Sequence, residues 1–364
     1  MIKPWIFEFF TSFAPPGGEP YDAAACERDF AWYVEQWVKA EASGFEGIFF
    51  SEHHFVPGRF SPSPNLLIAA VATRTSTLRL GTMGNVVPFY EPWRLAEEYA
   101  MLDQLSGGRL EIGLASGSGP MEFKAIGMSG DTLHERFTES LDVIDAALTQ
   151  AEFSHRGRHW QFERLQIAPR PRQQPAPPRW MTGLSVPTAT LAASRGYKFS
   201  TGFIGQAAVR SVFAAHAEAA RSAGFAAGPE QLGLRRMVYV DDEGSRGAQI
   251  ATGARDRLRA IMKSFAPQPN AASGAVPDAP NPRRGAPEVA DEESIGGTPA
   301  QVAEQIIEQC RDCGAAHFMA YSPGSLSREQ IGRSLQLWAD VIPLLRRASV
   351  PAGVAMAAPA GART

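Results

Sequence analysis

The chain has 364 residues, of which 44% are hydrophobic and 20% charged, and its formal net charge is −3. The length allows a sizeable core, whereas the charge argues against nucleic acid as the main partner, because phosphate binding needs a basic surface. Three cysteines, no apparent signal peptide and no apolar run of membrane-spanning length predict a cytoplasmic protein without a membrane partner.

Short apolar runs alternate with helical patterns along most of the chain. The predicted strands cover residues 5–10, 47–50, 78–87, 109–115, 179–183, 197–203, 233–240 and 316–321. Helices are predicted between them, the last at about 327–347, and a surface hairpin and connector at 153–174. Eight strand–helix alternations indicate a parallel (β/α)8 barrel of the α/β class, and a doubly wound sheet is the alternative.

Residues 266–293 do not follow this alternation. They are rich in proline, alanine and glycine, so we expect no packed element there, and the segment precedes the last strand–helix unit. A mobile loop that closes as a lid and a plain disordered loop are both open interpretations. Residues 1–350 are then expected to form a single barrel domain, with a disordered tail at 351–364.

Two cysteines have the spacing of a redox motif but lie in the wrong context. Cys310 and Cys313 fall at the end of a predicted helix that Gly314 terminates. The negative end of the helix dipole disfavours a thiolate there. We therefore interpret both as small packing residues.

An acid and two imidazoles follow the second predicted strand directly. Polar groups at the carboxyl end of a buried strand are typical of the active site of an α/β enzyme, and histidine titrates near neutral pH. Since neighbouring strand residues point to opposite faces, we expect one of His53 and His54 to be catalytic and the other structural, rather than a metal pair.

Several residues near strand ends suggest a pocket for an apolar molecule. Glu8 lies within an aromatic strand and must face either a wet cavity or a structural ion-pair partner. Phe10, Phe55 and Met121 are the apolar candidates for the same substrate pocket.

Four motifs, in this order and spacing, make the chain resemble the bacterial luciferase-like flavin monooxygenase family, whose fold is a (β/α)8 barrel. The resemblance covers residues 2 to about 205, and Gly297-Thr298-Pro299 extends it. The motifs are Glu52-His53-His54-Phe55; Gly81-Thr82 through Pro92-x-Arg94; Ala96-Glu97-Glu98 through Leu102-Asp103-x-Leu105-Ser106-x-Gly108-Arg109; and Gly183-x-Ser185-x-x-Thr188.

The resemblance implies a role for each matching residue. His53 corresponds to the active-site acid/base, with Glu52 or His54 holding it. The Met83–Gly84 bond falls where the family often has a non-proline cis peptide under the flavin ring, and Asn85 becomes a candidate to bind the pyrimidine edge of that ring.

The loop that begins at Gly183 and includes Leu184, Ser185 and Thr188 corresponds to the site of the flavin phosphate at a helix N-terminus, where N–H groups and the helix dipole favour an anion. Ser116 stands where the luciferase subunit has an arginine near this phosphate, and Leu184 replaces an acidic residue. The resemblance therefore leaves open a weaker phosphate affinity or another basic group.

The family resemblance implies a two-component monooxygenase. It would use reduced FMN from a separate flavin reductase, and O2 through a C4a-peroxyflavin, to oxygenate a small apolar organic substrate. The family also implies a homodimer, built here on helices at about 64–76 and 92–105. Two alternatives stay open: a deazaflavin (F420)-dependent oxidoreductase of the same superfamily, and a non-catalytic flavin-binding relative.

Overall fold

A closed parallel barrel forms the centre of the computed structural model, which describes residues 1–13, 22–56, 58–117, 120–128, 130–264, 289–324 and 326–351. Eight strands pair in the order β1, β2, β3, β5, β8, β9, β10, β12 and back to β1, so the predicted (β/α)8 barrel is confirmed. The strands are β1 (Lys3–Glu8), β2 (Gly47–Phe50), β3 (Arg79–Thr82), β4 (Asn85–Val86), β5 (Leu110–Ala115), β6 (Phe153–Arg156), β7 (Gln161–Leu165), β8 (Arg179–Thr182), β9 (Lys198–Thr201), β10 (Leu232–Val240), β11 (Ser294–Gly297) and β12 (His317–Tyr321).

Helices surround the barrel. They are α1 (Ala23–Ser43), α2 (Pro64–Ala72), α3 (Pro92–Leu105), α4 (Pro120–Ala125), α5 (Gly130–Thr149), α6 (Val186–Ser194), α7 (Gln206–Ser222), α8 (Gly244–Ser264), α9 (Pro299–Cys313) and α10 (Arg328–Arg347). Within the described ranges, no helix is both long and apolar enough to cross a bilayer.

Four short strands lie outside the barrel ring. β6 and β7 form the antiparallel hairpin predicted at 153–174. β4 and β11 pair with the barrel strands β5 and β10. The strand predicted at 78–87 is interrupted, because the chain leaves β3 after Thr82 and re-enters the sheet as β4.

Side chains on β1 alternate between the barrel interior and the helical layer. Trp5 and Phe7 point inward, where Trp5 stacks on Phe49 with ring centroids 4.6 Å apart. Ile6 and Phe10 point outward into the core shared with the helices. Because large apolar side chains fill the interior, the only room for chemistry along these strands is at their carboxyl ends.

The proline-rich segment is only partly described. Residues 265–288 lie outside the described part of the structure, so the lid and loop interpretations stay predictions, as does the disordered tail at 352–364. The expectation of no packed element is wrong for the end of the segment: Val289 is buried, and Asp291–Glu293 is a 3-10 helix whose Glu293 side chain is fully buried. A charge in this position requires paired partners, which the composition of the segment does not reveal.

The cysteines at the end of α9 are packing residues, as predicted. Cys310 and Cys313 are free and buried, and Gly314 ends the helix in the left-handed conformation. Burial raises the pKa of Cys310 well above its usual range and that of Cys313 to about 12. Neither thiol is therefore ionised near neutral pH.

One carboxylate joins α1 to the turn before β3. Glu41 Oε1 accepts the backbone N–H groups of Ser76, Thr77 and Leu78 at 2.5 to 2.9 Å. Burial alone would raise the pKa of Glu41, but these hydrogen bonds lower it to about 2. Because the folded pKa is depressed, this stabilisation is present above the usual carboxyl pKa and is lost as the pH falls towards 2.

We expect Glu41→Gln to lower the free energy of unfolding at pH 7 by about 1–3 kcal/mol, since several hydrogen bonds to a charged acceptor are weakened together. Urea unfolding at pH 7, 5 and 3 measures this difference, which should shrink towards acid pH. Glu27→Gln, on the exposed side of the same helix, is the control. Equal midpoints for Glu41→Gln and the wild type at pH 7 would contradict the assignment.

Candidate active site

Polar side chains gather at the carboxyl ends of β2 and β3 and in the segment after β5. Glu52, His53 and His54 follow β2, Asn85 lies in β4, and Glu122 lies in the short helix α4. The parallel barrel brings these segments to one rim although Glu122 is 68 residues from His54 in sequence. The two histidines have different partners there.

Glu52 and His54 belong to a buried hydrogen-bond network. His54 Nε2 donates to Glu52 Oε1 at 2.9 Å, and Glu52 Oε2 accepts Asn85 Nδ2 at 2.9 Å and the Tyr90 hydroxyl at 2.7 Å. The hydrogen bond to Glu52 raises the pKa of His54 against the opposing effect of burial. The Glu52 side chain is fully buried and both its oxygens accept hydrogen bonds, so the network connects His54 with Asn85 and Tyr90.

His53 lies on the other face of the strand and reaches the barrel mouth. Its ring stacks on Phe9 with centroids 5.9 Å apart, and 30% of its side chain is exposed. Its Nδ1 is 3.9 Å from Glu122 Oε1, which also accepts the backbone N–H of His54 at 3.0 Å. Burial would raise the pKa of Glu122, but His53 and the His54 N–H lower it overall.

The expectation that Glu52 or His54 holds His53 is therefore wrong, because both are bound to each other and the carboxylate beside His53 is Glu122. Sequence reasoning missed Glu122. Its position shortly after β5 was the available signal, since the carboxyl end of this strand lies at the barrel rim.

Asn85 does not have a free amide N–H for a ligand. Its Oδ1 accepts the Tyr99 hydroxyl at 2.9 Å, and its Nδ2 donates to Glu52 and to the Tyr90 hydroxyl. The side chain is fully buried. Both Nδ2 hydrogens are used within the protein, whereas Oδ1 can accept a second hydrogen bond, so the role at the pyrimidine edge of a flavin stays a prediction.

The Met83–Gly84 peptide bond is cis, as the resemblance implied. Gly84 packs directly against the β5 backbone: a Cβ atom added there would lie 2.9 Å from backbone atoms of Gly113 and Leu114. Only glycine allows this close approach. Met83 is buried in the cluster that fills the barrel interior and directly follows β3.

The loop after β8 forms a concave rim at the start of α6. Ser185 is the N-cap residue, and its hydroxyl is 3.0 Å from that of Thr188. A Cβ added to Gly183 would lie 2.7 Å from Thr188 Cγ2, so glycine keeps the loop tight. Leu184 and Ser185 are exposed, as is Ser116 at the end of β5. Hydroxyls and first-turn N–H groups at an open helix N-terminus fit a phosphate group.

Of two residues predicted for the substrate pocket, Phe10 points away from the mouth and Glu8 has structural hydrogen-bond partners. Phe10 is fully buried among Tyr33, Trp37 and other rings of the helical layer. Glu8 accepts Trp37 Nε1 at 2.9 Å and the Phe10 N–H at 2.6 Å, and burial raises its pKa. The prediction for Phe10 is wrong, because its side chain belongs to the helical layer whereas Phe7 and Phe9 face inward. Glu8 lines a cavity together with Phe7, Phe9 and Tyr321, so its place in the pocket stays a prediction.

Of the other two candidates, Phe55 does not support the pocket and Met121 stays a prediction. Phe55 is 69% exposed, and its ring lies beside His54 rather than in the mouth. The side chain of Met121 lies outside the described part of the structure.

An aromatic wall lines the mouth instead. Phe9 contacts Phe7 and Tyr321, with ring centroids 4.8 and 5.3 Å apart, and Phe203 lies 5.8 Å from Tyr321. Two guanidinium groups pack on these rings: Arg59 over Phe9 at 4.5 Å, and Arg235 over Phe7 at 4.6 Å and Phe203 at 4.8 Å. The mouth is thus apolar next to His53, with two guanidinium groups packed on its rings.

The family assignment agrees with this geometry. A family model described as luciferase-like monooxygenase matches residues 7–317. The chain therefore belongs to the luciferase-like monooxygenase family, and the prediction of an enzyme of this general kind is confirmed.

Curated relatives differ in how much of the chain they match. The uncharacterized protein y4wF of Sinorhizobium fredii (strain NBRC 101917 / NGR234) is 31% identical over 293 residues, which is 79% of this chain and 84% of that protein. The oxygenase component of the flavin-dependent trigonelline monooxygenase of Acinetobacter baylyi (strain ATCC 33305 / BD413 / ADP1) is 36% identical over 165 residues, but this covers only 45% of this chain and 46% of that protein.

A solved structure shows the same fold over nearly the whole chain. The oxygenating constituent of 3,6-diketocamphane monooxygenase from Pseudomonas putida, determined in complex with FMN, aligns with a TM-score of 0.76. The alignment covers 96% of this chain and 99% of that one, at 22% sequence identity.

Proposed function

We propose that this protein is the oxygenase of a two-component monooxygenase. It uses reduced FMN, supplied by a separate flavin reductase, and O2 to oxygenate a small organic substrate with an apolar body. The observation that carries the proposal is the placement of His53. Its imidazole stands in the barrel mouth between the Glu122 carboxylate and the Phe9 ring.

The described residues fit FMN in two places. The phosphate would lie against Ser185 and Thr188 at the N-terminus of α6, where the hydroxyls and backbone N–H groups can bind it. The ring system would rest on the flat backbone at Met83–Gly84. When bound in its reduced form, this cofactor supplies the activation of oxygen.

The residues of the protein position the imidazole that transfers a proton and exclude water from the site. Glu122 faces Nδ1 of His53, which leaves Nε2 as the nitrogen available to a bound molecule. A positioned imidazole can then donate or accept a proton at that nitrogen. Phe9, Phe203 and Tyr321 form the apolar side of the same space, which limits the access of water.

The purified protein with a chemically reduced cofactor tests this function. We expect reduced FMN to bind more tightly than reduced deazaflavin F420, and the protein to change the rate at which bound reduced FMN reacts with dissolved oxygen. Reduction by dithionite makes a reductase unnecessary in this assay. Tight binding of F420 alone would favour the hydride-transferring alternative. FMN binding with an unchanged oxygen reaction would favour the non-catalytic relative.

The phosphate site gives a separate prediction. We expect Ser185→Asp to weaken FMN binding roughly 10–100-fold, because it places a second negative charge beside the phosphate in a partly solvated site. The fold should persist, since aspartate is a favourable N-cap residue. Ser185→Asn, of nearly the same shape but uncharged, is the matched control and should bind FMN much more tightly than the aspartate variant. Equal FMN affinities in a fluorescence titration would contradict the assignment.

We also propose a homodimer, built on α2 and α3, which pack side by side. These helices expose apolar side chains to an unusual degree: Leu66 is 71% exposed and Met101 52%, and Leu105 and Trp93 are exposed as well. We expect sedimentation at micromolar concentration to show a dimer that Leu66→Glu/Met101→Glu converts to a monomer. A monomeric wild-type protein would refute this.

The buried free thiols of α9 are consistent with a proposed cytoplasmic location.

A further inference from the structure

Among the residues that the structure describes, the side chain of Arg235 is a buried cation without a hydrogen-bond acceptor. It lies in β10 with its side chain in the barrel interior, and only 6% of the residue is exposed. Its guanidinium packs between the Phe7 and Phe203 rings. Its Nε is buried and donates to no acceptor, and the terminal nitrogens have no hydrogen-bond acceptor among the described residues.

The neighbouring arginine shows what a satisfied guanidinium looks like in this protein. Arg236 points to the opposite side of β10 and is fully buried, where it donates to Glu293 Oε2 at 3.1 Å, Gln206 Oε1 at 3.1 Å and Gln309 Oε1 at 2.9 Å. A buried cation is unfavourable unless it is paired in this way. Arg235 has only the faces of two rings, which attract a cation but accept no directed hydrogen bond at its edge.

The nearest carboxylate is not available to Arg235. Glu293 already accepts the Phe203 N–H at 2.6 Å and Arg236 on Oε2, and the Tyr321 hydroxyl at 2.8 Å on Oε1. Burial lowers the pKa of Arg235, and the charge of Glu293 only opposes this effect at a distance. The guanidinium edge is therefore unpaired within the described part of the chain.

We propose that Arg235 binds a carboxylate group of the organic substrate, so that the enzyme acts on an organic anion with an apolar body. A guanidinium presents parallel N–H groups that match the two oxygens of a carboxylate. The inference rests on the proposed function, because it assigns a substrate class to the same mouth.

The aromatic wall connects this anion site to the reacting end. Phe203 lies 6.5 Å from Phe9, and Phe9 lies 5.9 Å from the His53 ring. A molecule with its carboxylate at Arg235 and its apolar body along these rings extends towards His53. The phosphate rim after β8 is separated from β10 by β9 and opens to solvent, which argues against the FMN phosphate as the partner of Arg235.

Calorimetric titration of the full chain, with and without oxidised FMN, tests the proposal. The probes are benzoate and hexanoate with their neutral isosteres benzamide and hexanamide. We expect at least one carboxylate to bind the wild type roughly tenfold or more tightly than its amide, as a charge-assisted hydrogen bond requires. Arg235→Met, which keeps the apolar stem, should abolish this preference, and Arg235→Lys should keep part of it. Arg333→Met, which removes an exposed arginine, is the matched control and should leave the preference unchanged.

Several outcomes would overturn the proposal. These are carboxylates that bind the wild type no better than their amides, a preference that survives in Arg235→Met, or a loss of FMN affinity in Arg235→Met that exceeds its loss of carboxylate affinity. Should Arg235→Met fail to fold, Arg235→Gln decides by the same criteria. Because the FMN titration is recorded separately, failure of the flavin assignment appears as absent FMN binding in every variant and is not confused with failure of the anion site.

Discussion

His53→Ala is expected to lower the rate of the oxygenation step by roughly 10²–10⁴-fold, the usual contribution of a positioned general acid–base group. The affinity for FMN should change little, because the proposed phosphate site at α6 and the flat backbone at Met83–Gly84 do not involve this imidazole. A single-turnover reaction of the reduced-flavin protein with oxygen, followed by flavin absorbance and product formation, measures the loss.

His54→Ala is the matched control, because it removes a neighbouring imidazole from the opposite face of the strand. His54 is bound to Glu52 in the buried rim network, so its removal should lower stability more than turnover. Glu122→Gln should affect the same step as His53→Ala, but less, because it leaves the imidazole in place. Loss of chemistry in His54→Ala with activity retained in His53→Ala would reverse the two assignments. No change in either variant would make the whole stretch structural.

Regular alternation is the reason that the sequence predicts the fold and the sides of the two histidines. Each barrel strand is a short apolar run followed by a polar or glycine-rich stretch, and such strands must be buried on both faces. The prediction that His53 and His54 face opposite ways needs only the two-residue period of a strand, and their side chains contact different carboxylates, Glu122 and Glu52.

The same periodicity does not say which side of an aromatic run faces the mouth. Every residue from Trp5 to Phe10 except Glu8 is apolar, so the pattern has no polar face to set the phase. The structure places Phe7 and Phe9 inward and Phe10 outward. Displacing the alternation by one residue exchanges the inward-facing and outward-facing side chains. The sequence therefore assigned Phe10, rather than Phe9, to the pocket.

The hydrogen-bond partners of the residues at the barrel rim could not be predicted from the sequence, for a different reason. Glu122 meets His54 across 68 residues, and Asn85 meets Glu52 across 33. These pairings depend on which loops the closed barrel brings together, and no local pattern specifies them. Arg235 belongs to the same category, since an arginine in a nine-residue buried strand gives no sign of whether its side chain is paired.

The remaining large effect is expected at the buried ion pair of Arg236 and Glu293, whose side chains are both fully buried. Arg236→Met should lower the free energy of unfolding by about 3–5 kcal/mol, because it leaves the Glu293 carboxylate buried without its cation. Burial raises the pKa of Glu293 and Arg236 opposes this, so in the variant the carboxyl group can take up a proton in the folded state.

The loss of stability in Arg236→Met should therefore be larger at pH 8 than at pH 5. A carboxyl group whose pKa is raised in the folded state stabilises the folded protein as the pH falls from this raised pKa towards the pKa of the unfolded chain. Urea unfolding at both pH values measures the difference. The double variant Arg236→Met/Glu293→Gln should recover a large part of the stability, because it removes the stranded charge while an amide can still accept from the Phe203 N–H. A loss below about 1 kcal/mol, or a double variant no more stable than Arg236→Met, would show that this buried pair contributes little to the stability of the fold.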